Sequence, residues 1–116
     1  MVSQAITKNV SMSAQKMREV VRQIQGLKAL DAAAVLKVVP RKSARFVAKT
    51  LNSAIANAED QARFQKVADF QAANLKVLSA VAGTARTSKR FTPKARGSAG
   101  PILKRTCHIK IVLSDE

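Results

Sequence analysis

The stretch RTCHIKIVL, residues 105–113, decides the fold of this chain. An apolar set of side chains alternates along it with a mainly polar set. The apolar positions are Cys107, Ile109, Ile111 and Leu113, and the polar positions are Thr106, His108 and Lys110. Because successive side chains of a strand point to opposite faces, this alternation predicts a strand with one buried and one wet face. Such strands are typical of antiparallel sheets.

Two further strands are predicted to complete this sheet. Residues 2–7 alternate weakly and indicate a short edge strand. Residues 74–81 indicate another strand, in which Leu75, Val77 and Val81 would share one face and Leu78 and Ala80 would lie on the other.

Three helices are predicted between the first two strands. In the first helix, Ser11 or Ser13 would cap the start and Gly26 would end it. Its apolar face is formed by Met17, Val20, Val21 and Ile24. The second helix is predicted over residues 30–38, where Val39 precedes Pro40.

The third helix is predicted over residues 41–60, with Pro40 opening it. An alanine-rich apolar stripe marks its buried face: Ala44, Val47, Ala48, Leu51, Ile55 and Ala58. Residues 61–73 fit either an extension of this helix or a loop packed over the core through Phe64, Val67 and Phe70. Helices first and most strands last predict an α+β fold, a small antiparallel three-stranded sheet packed on three helices.

The length and charge limit what the chain does. Its 116 residues suffice for a single domain, residues 1–116. The 21 lysines and arginines against 7 acids leave a net charge of +14. In a compact chain these positive charges repel one another and destabilise the fold unless a polyanion neutralises them. Nucleic acid is the leading partner that this charge predicts, and an anionic membrane surface is the second.

Catalysis and metal binding have little support in the sequence. One cysteine and one histidine allow neither an intrachain disulfide nor the usual zinc site. Cys107 and His108 are adjacent on a predicted strand and point apart, so they form no nucleophile and base pair. We interpret Cys107 as a buried thiol and His108 as a surface or RNA-contacting histidine, not a base. No apolar run is long enough to span a bilayer, and no export signal is seen.

The basic segment, residues 82–105, carries the strongest functional signal. It contains no acid and seven cations: Arg86, Lys89, Arg90, Lys94, Arg96, Lys104 and Arg105. Glycine and proline break any helix there, so the segment fits either a disordered loop or a long two-stranded hairpin. Cation density without acid predicts phosphate contacts. Phe91 could stack on a base or serve as an apolar anchor.

Other cations are less decisive. Those at the starts of the first and third helices fit RNA contact and a solvated face about equally: Lys16, Arg18, Arg41, Lys42, Arg45 and Lys49. Lys28, Lys37 and Lys66 are interpreted as solvated.

Four motifs in order resemble the bacterial ribosomal protein L-twenty-two family of the large subunit. They are SAQKMREVVRQIQG at 13–26, SAIANAE at 53–59, the run around Pro93-Lys94-Ala95-Arg96-Gly97, and ILKRTCHI at 102–109. The resemblance covers nearly the whole chain. This sequence departs from the family pattern at Gly83 to Arg86, at Ser98 and at Cys107.

The resemblance implies an α+β domain with a long protruding β-hairpin. It also implies a structural protein, not an enzyme, that supports assembly and needs no cofactor or small-molecule substrate. The implied partners are large-subunit rRNA, neighbouring large-subunit proteins, and the nascent peptide at the hairpin tip, with no membrane. The implied location is a ribosome in the cytoplasm, with an organellar ribosome as the alternative.

Two sets of residues follow by position. The implied rRNA contacts are Lys16, Arg18, Arg41, Lys42, Arg45, Arg86, Lys89, Arg90, Lys94, Arg96, Lys104 and Arg105, to which our interpretation adds His108. The implied tip region is about residues 88–99, and the implied tunnel-tip residues within it are Ser88, Lys89, Arg90, Phe91, Thr92 and Pro93. The competing interpretations are a free-standing nucleic-acid-binding regulator, a basic membrane-surface protein and, less well supported, a small hydrolase.

Overall fold

Helices and antiparallel strands make up the computed structural model, which describes residues 2–66 and 70–115. In chain order the elements are β1 (Val2–Val10), α1 (Ala14–Ile24), α2 (Ala29–Val38), α3 (Lys42–Phe64), a 3-10 turn (Ala72–Asn74), β2 (Lys76–Thr84), β3 (Ser88–Pro93), a second 3-10 turn (Ala95–Gly97), β4 (Ala99–Lys104) and β5 (Cys107–Ser114). The predicted α+β class is confirmed.

Strand β5 is the centre of a three-stranded antiparallel sheet with the order β1-β5-β2. At its middle, Ile111 lies between Ala5 of β1 and Ala80 of β2. The predicted buried set is fully enclosed: Cys107, Ile109, Ile111 and Leu113. The alternation in RTCHIKIVL therefore identified the strand on which both neighbours depend.

The helices cover one face of this sheet. Helix α3 packs against β1 and β5, α1 packs against β2, and α2 packs against α3. Met17, Val47 and Leu51 are fully buried between these layers. Two polar contacts add to the packing of β1 on α3. The hydroxyls of Thr7 and Thr50 lie 2.7 Å apart, and the Ser3 hydroxyl donates to a carbonyl of α3 at 3.3 Å.

Helix α1 begins and ends where the sequence predicted. The Ser13 hydroxyl accepts the Lys16 amide at 3.4 Å, so Ser13 rather than Ser11 is the cap. Gly26 follows the helix with a φ of 81°, a conformation that costs glycine little. Its amide donates to the Val77 carbonyl at 3.1 Å, and the Val77 amide donates to Leu27 at 2.8 Å. The loop between α1 and α2 thus pairs with the outer edge of β2.

Helix α3 differs from its predicted bounds at both ends. Pro40 does not open the helix, because Arg41 is the extended cap residue and Lys42 is the first helical residue. The helix continues to Phe64, whose side chain is 89% exposed and so does not pack over the core. Phe70 is half-buried against the core, and Val67 lies outside the described residues.

Bulges explain where the sequence-based prediction of the two edge strands, β1 and β2, differs from the structure. The register of β1 shifts between Thr7 and Val10, which lets the strand continue past its predicted end. The register of β2 shifts between Val77 and Ser79. One extra residue reverses the faces beyond it. The predictions that Val81 shares a face with Val77 and that Leu78 shares a face with Ala80 are therefore wrong. Val81 is 51% exposed, and Ala80 is buried instead.

A cavity substitution tests the packing between α3 and the sheet. Leu51→Ala in α3 is expected to lower the free energy of unfolding by about 2–5 kcal/mol, because Leu51 is fully buried. The matched control is Leu30→Ala in α2, a 51% exposed leucine, with a change of about 0.5–1 kcal/mol. Urea denaturation followed by circular dichroism measures both. Equal losses would contradict this packing.

The buried thiol at the start of β5 makes stability depend on pH. Burial raises the pKa of the Cys107 thiol above its ordinary value of 9.0. The folded chain therefore binds the thiol proton more tightly than the unfolded chain does. This preference contributes stability below the unfolded pKa, and the contribution is lost as the pH rises through the folded pKa.

We expect this effect to disappear in Cys107→Ala. Between about pH 8 and about pH 10.5, wild type should lose stability relative to the variant. Urea unfolding at both pH values measures the difference in stability between the two proteins. The chain contains no tyrosine, and the variant keeps every lysine, so the other titrating groups are the same in both proteins. A difference that stays constant across this range would show that the thiol ionises as freely in the folded chain as in the unfolded one.

Candidate nucleic-acid interface

A two-stranded hairpin occupies most of the basic segment. Strands β3 and β4 pair antiparallel from Ser88↔Lys104 to Pro93↔Ala99. Within residues 94–98 the Lys94 amide donates to the Ser98 carbonyl at 2.7 Å. These hydrogen bonds close the turn, so the hairpin alternative describes the segment and the disordered-loop alternative does not.

The hairpin continues directly from the sheet. Strand β2 leads into β3, and β4 leads into β5, through a joint where residues 85–87 face residues 105–106. The Ala85 amide donates to the Thr106 carbonyl at 3.1 Å, and the Thr106 hydroxyl donates to the Arg86 carbonyl at 2.5 Å. The protein is therefore elongated, 70 Å by 27 Å by 16 Å.

The two faces of the hairpin differ in chemistry. One face carries Ser88, Arg90 and Thr92 opposite Lys104, Ile102 and Gly100, and the other carries Lys89, Phe91 and Pro93 opposite Leu103, Pro101 and Ala99. The first face is the more polar of the two. Phe91 is 80% exposed on the second face, so it is not anchored in the core of this chain.

The lysine at the turn lies back along the first face. A β carbon at Gly100 would lie 2.6 Å from Cε of Lys94, so the lysine side chain occupies the space beside this glycine. Beside it, Arg96 and Gly97 have left-handed φ values of 59° and 73°. The turn thus holds two cations at the far end of the hairpin.

The predicted tip residues do not cluster at this turn. Ser88 pairs with Lys104 at the end of the hairpin nearest the globular part, and Pro93 pairs with Ala99 beside the turn. The set from Ser88 to Pro93 is all of β3, about 16 Å of extended chain. Residues 94–98 form the far end itself.

A cleft of about 750 Å³ lies where the hairpin meets the globular part. We call it the basal cleft. Four of the predicted RNA contacts line it together: Lys16, Arg18, Lys42 and Arg105. The hydroxyl side chains lining it are Ser11, Ser13, Thr84, Thr87 and Thr106. None of its lining residues is acidic.

Local structure keeps the basal cleft positive. The first turn of α1 enters it and contains no acidic residue, so the positive end of the helix dipole is not offset there. The Nε of Arg18 donates to the Ala82 carbonyl at 3.0 Å, which holds this guanidinium against β2. Its terminal nitrogens remain as donors for a phosphate.

A second positive surface lies at the start of α3. Its first turn has no acidic residue and no side-chain cap. A shallow groove there is lined by Lys37, Arg41, Lys42 and Arg45. The structure partly neutralises Arg41, since its Nη1 lies 3.2 Å from Oε2 of Glu19. Because both side chains are exposed, this ion pair is weak.

His108 lies apart from the cleft cations. Its side chain is half-buried, and its Nδ1 accepts the Asn9 amide at 3.1 Å. Only Nε2 is left to contact another molecule. Within the described residues there is no group of three potential metal ligands. No helix in the same ranges is long and apolar enough to cross a membrane.

Sequence reasoning missed the hydroxyls of the basal cleft. The sequence predicts Ser11 or Ser13 as a helix cap and Thr106 as a strand residue, and it assigns no role to Thr84 or Thr87. A signal was present, since Thr84 and Thr87 flank Arg86 and Thr106 follows Arg105. What the sequence lacked was the pairing that brings residues 84–87, 105–106 and the start of α1 to one place.

One comparison with known proteins bears on this surface. Residues 5–114 match a family model described as ribosomal protein L22p/L17e. The match spans all three helices and both sheets, including the hairpin and the basal cleft.

Proposed function

The chain belongs to the ribosomal protein L22p/L17e family, structural proteins of the large ribosomal subunit that bind rRNA, and we propose that it does so through the hairpin and the basal cleft. The observation that carries the proposal is the clustering of Lys16, Arg18, Lys42 and Arg105 in a cleft without acids. Helices from one end of the chain and the joint from the other converge there. A polyanion bound in the cleft would hold the hairpin at a set angle to the globular part.

The chemistry of the basal cleft suits an RNA backbone. Lysine and arginine donate charged hydrogen bonds to phosphate oxygens, and serine and threonine hydroxyls donate uncharged ones. The start of a helix adds backbone amide donors. None of these groups reads a base edge. The cleft therefore supports binding by phosphate position and RNA shape. Arg41 and Arg45 extend the same surface along α3, with Arg41 weakened by its pairing to Glu19.

The hairpin supports a longer contact. Arg86, Lys89, Arg90 and Lys104 lie along it with exposed side chains, and Lys94 and Arg96 lie at its end. Its two strands have no hydrophobic layer beneath them, and such a ribbon is marginal alone in water. RNA on both faces would neutralise the cations, release counterions and stabilise the ribbon. This is the physical basis for a role in assembly, in which rRNA segments pack around the hairpin.

We assign the tunnel-lining role to the far end of the hairpin. Thr92, Pro93 and residues 94–98 would contact the nascent peptide, and Phe91 would stack on a base or on the tunnel wall. Ser88, Lys89 and Arg90 lie nearer the globular part and would contact rRNA. His108 would contribute a single donor, Nε2, to rRNA. Neighbouring large-subunit proteins complete the proposed partners, in a cytoplasmic or organellar ribosome.

Charge removal in the basal cleft tests phosphate binding. The triple variant Lys16→Gln, Lys42→Gln and Arg105→Gln should bind transcribed large-subunit rRNA roughly 10- to 100-fold more weakly near physiological salt. The slope of log affinity against log salt should fall by about one unit for each lost phosphate contact. Filter binding across a salt series measures both.

The control removes the same charges elsewhere. Lys28→Gln, Arg63→Gln and Lys66→Gln also remove two lysines and one arginine, all exposed and outside the cleft. This control should lose affinity much less. If both variants weaken binding alike, net charge rather than the cleft is responsible.

Shortening the hairpin separates its end from its stem. Replacing residues 94–98 by Asn-Gly keeps Pro93 opposite Ala99 through a two-residue turn. The variant should enter large subunits within about twofold of wild type, since most of the rRNA-contacting cations remain. Cross-linking from a stalled nascent peptide to this chain should fall sharply.

The matched control removes the whole hairpin, residues 88–104, and joins the ends by the same Asn-Gly turn. Its incorporation into subunits should fall at least tenfold. Quantitative mass spectrometry of salt-washed subunits measures incorporation of both variants. Failure of the short-turn variant to incorporate, or unchanged nascent-peptide cross-linking, would refute the assignment of the far end to the tunnel.

A further inference from the structure

The face of the three-stranded sheet turned away from the helices is unexpectedly apolar. We call it the outer sheet face. It carries Val2, Ile6, Leu78, Val81 and Val112 around Lys110. Ile6, Val81 and Leu78 are 48%, 51% and 64% exposed. The alternation in the sequence predicted a wet, polar face, and large exposed apolar groups on a sheet mark a contact surface when they are contiguous.

Pairing within the sheet makes this patch contiguous. Lys110 of β5 lies directly between Ile6 of β1 and Val81 of β2. The bulge in β2 turns Leu78 and Val81 to this face while Ala80 stays buried. Opposite side chains of neighbouring strands lie about 5 Å apart, so Ile6, the stem of Lys110 and Val81 form one row.

The charges on this face differ from those of the hairpin and the basal cleft. All nine arginines of the chain lie outside β1, β2 and β5. Those three strands contain no phenylalanine, tyrosine or tryptophan and no acidic residue, and their lysines are Lys8, Lys76 and Lys110. Around Ile6, Lys110 and Val81 the face offers a phosphate backbone one cation among apolar side chains, whereas the basal cleft offers four cations. This difference argues against RNA as the occupant of this part of the face. His108, at the end of β5 next to the hairpin joint, keeps its proposed rRNA contact.

A second copy of the chain also fits poorly. Two such faces would bring lysines together with no carboxylate from these strands to offset them. The face measures roughly 30 Å by 14 Å, or about 400 Å², from nine-residue strands at sheet spacing. A stable interface needs about 800 Å² from each partner. The occupant must therefore be held by further contacts of its own.

We propose that the outer sheet face binds an apolar segment of another large-subunit protein, bordered by aspartate or glutamate. Its apolar side chains cover the row of Ile6, Lys110 and Val81, and its carboxylates meet Lys8, Lys76 and Lys110. The subunit holds that partner in place through its own rRNA contacts, so a small face is sufficient. The inference rests on the placement of this chain in the large subunit.

Photocross-linking identifies the occupant directly. A benzoylphenylalanine replaces Val81 in cells, and large subunits are salt-washed, irradiated and analysed by mass spectrometry. The control replaces Leu30 of α2, which is equally exposed at 51% but lies off the sheet. We expect position 81 to cross-link to one segment of another ribosomal protein with acidic residues in it, and position 30 not to reach that segment.

Other outcomes overturn the proposal. Cross-links from position 81 to rRNA, to a second copy, to lipid, or to nothing would each rule out the proposed occupant. Absence of the chain itself from the subunits is a separate result, read from its own peptides. It would remove the placement in the subunit and with it this inference.

A charge substitution gives a second, independent readout. Val81→Lys adds a cation to the middle of the row, and Leu30→Lys adds the same charge elsewhere. Subunits carrying Val81→Lys should contain at least threefold less of the cross-linked partner, and those carrying Leu30→Lys should contain the normal amount. A full complement of proteins with Val81→Lys would overturn the proposal. If Val81→Lys fails to fold, Val81→Thr keeps a β-branched side chain and replaces it under the same criterion.

Discussion

The pairing of β5 with both β1 and β2 is the constraint on which the rest of the molecule depends. One face of β5 is sealed by α3 and α1, which makes its register hard to shift. Because β5 and β2 also continue into the two strands of the hairpin, that register sets where the hairpin leaves the sheet. A slip by one residue would expose Ile109 and Ile111 and would also redirect the hairpin.

The globular part and the hairpin are stabilised by different interactions. Burial of apolar side chains holds the globular part together, although its cations repel one another. The hairpin has no such core and depends on strand pairing and on a closed turn. Its cations repel one another in the free protein, and in the proposed complex they would attract the rRNA that supplies the opposite charge. The proposed order of events follows from this, with a folded globular part and a hairpin stabilised by its target.

The basal cleft connects these two parts. It takes Lys16 and Arg18 from the first helix, Lys42 from the third and Arg105 from the joint. A phosphate bound there would touch three segments that are distant in sequence. The contact of Arg18 with the Ala82 carbonyl shows that the same cation also belongs to the fold. In the proposed function, folding and rRNA binding are thus linked through Arg18, which serves both.

The sequence by itself determined the fold class, the alternating strand near residues 105–113, a serine cap before the first helix, the stop at Gly26 and the dense charge of the basic segment. Each of these depends on local periods or on backbone chemistry that neighbouring residues carry with them. The tertiary structure alone decided which side chains are buried beyond the β2 bulge and that the basic segment forms a paired hairpin. It also decided the ion pair of Arg41 with Glu19 and the clustering of four cations in the basal cleft. A bulge inverts the alternation of side chains, and no residue type in the sequence marks where it occurs. Residues 16, 42 and 105 come together only after the chain has closed long loops around β5.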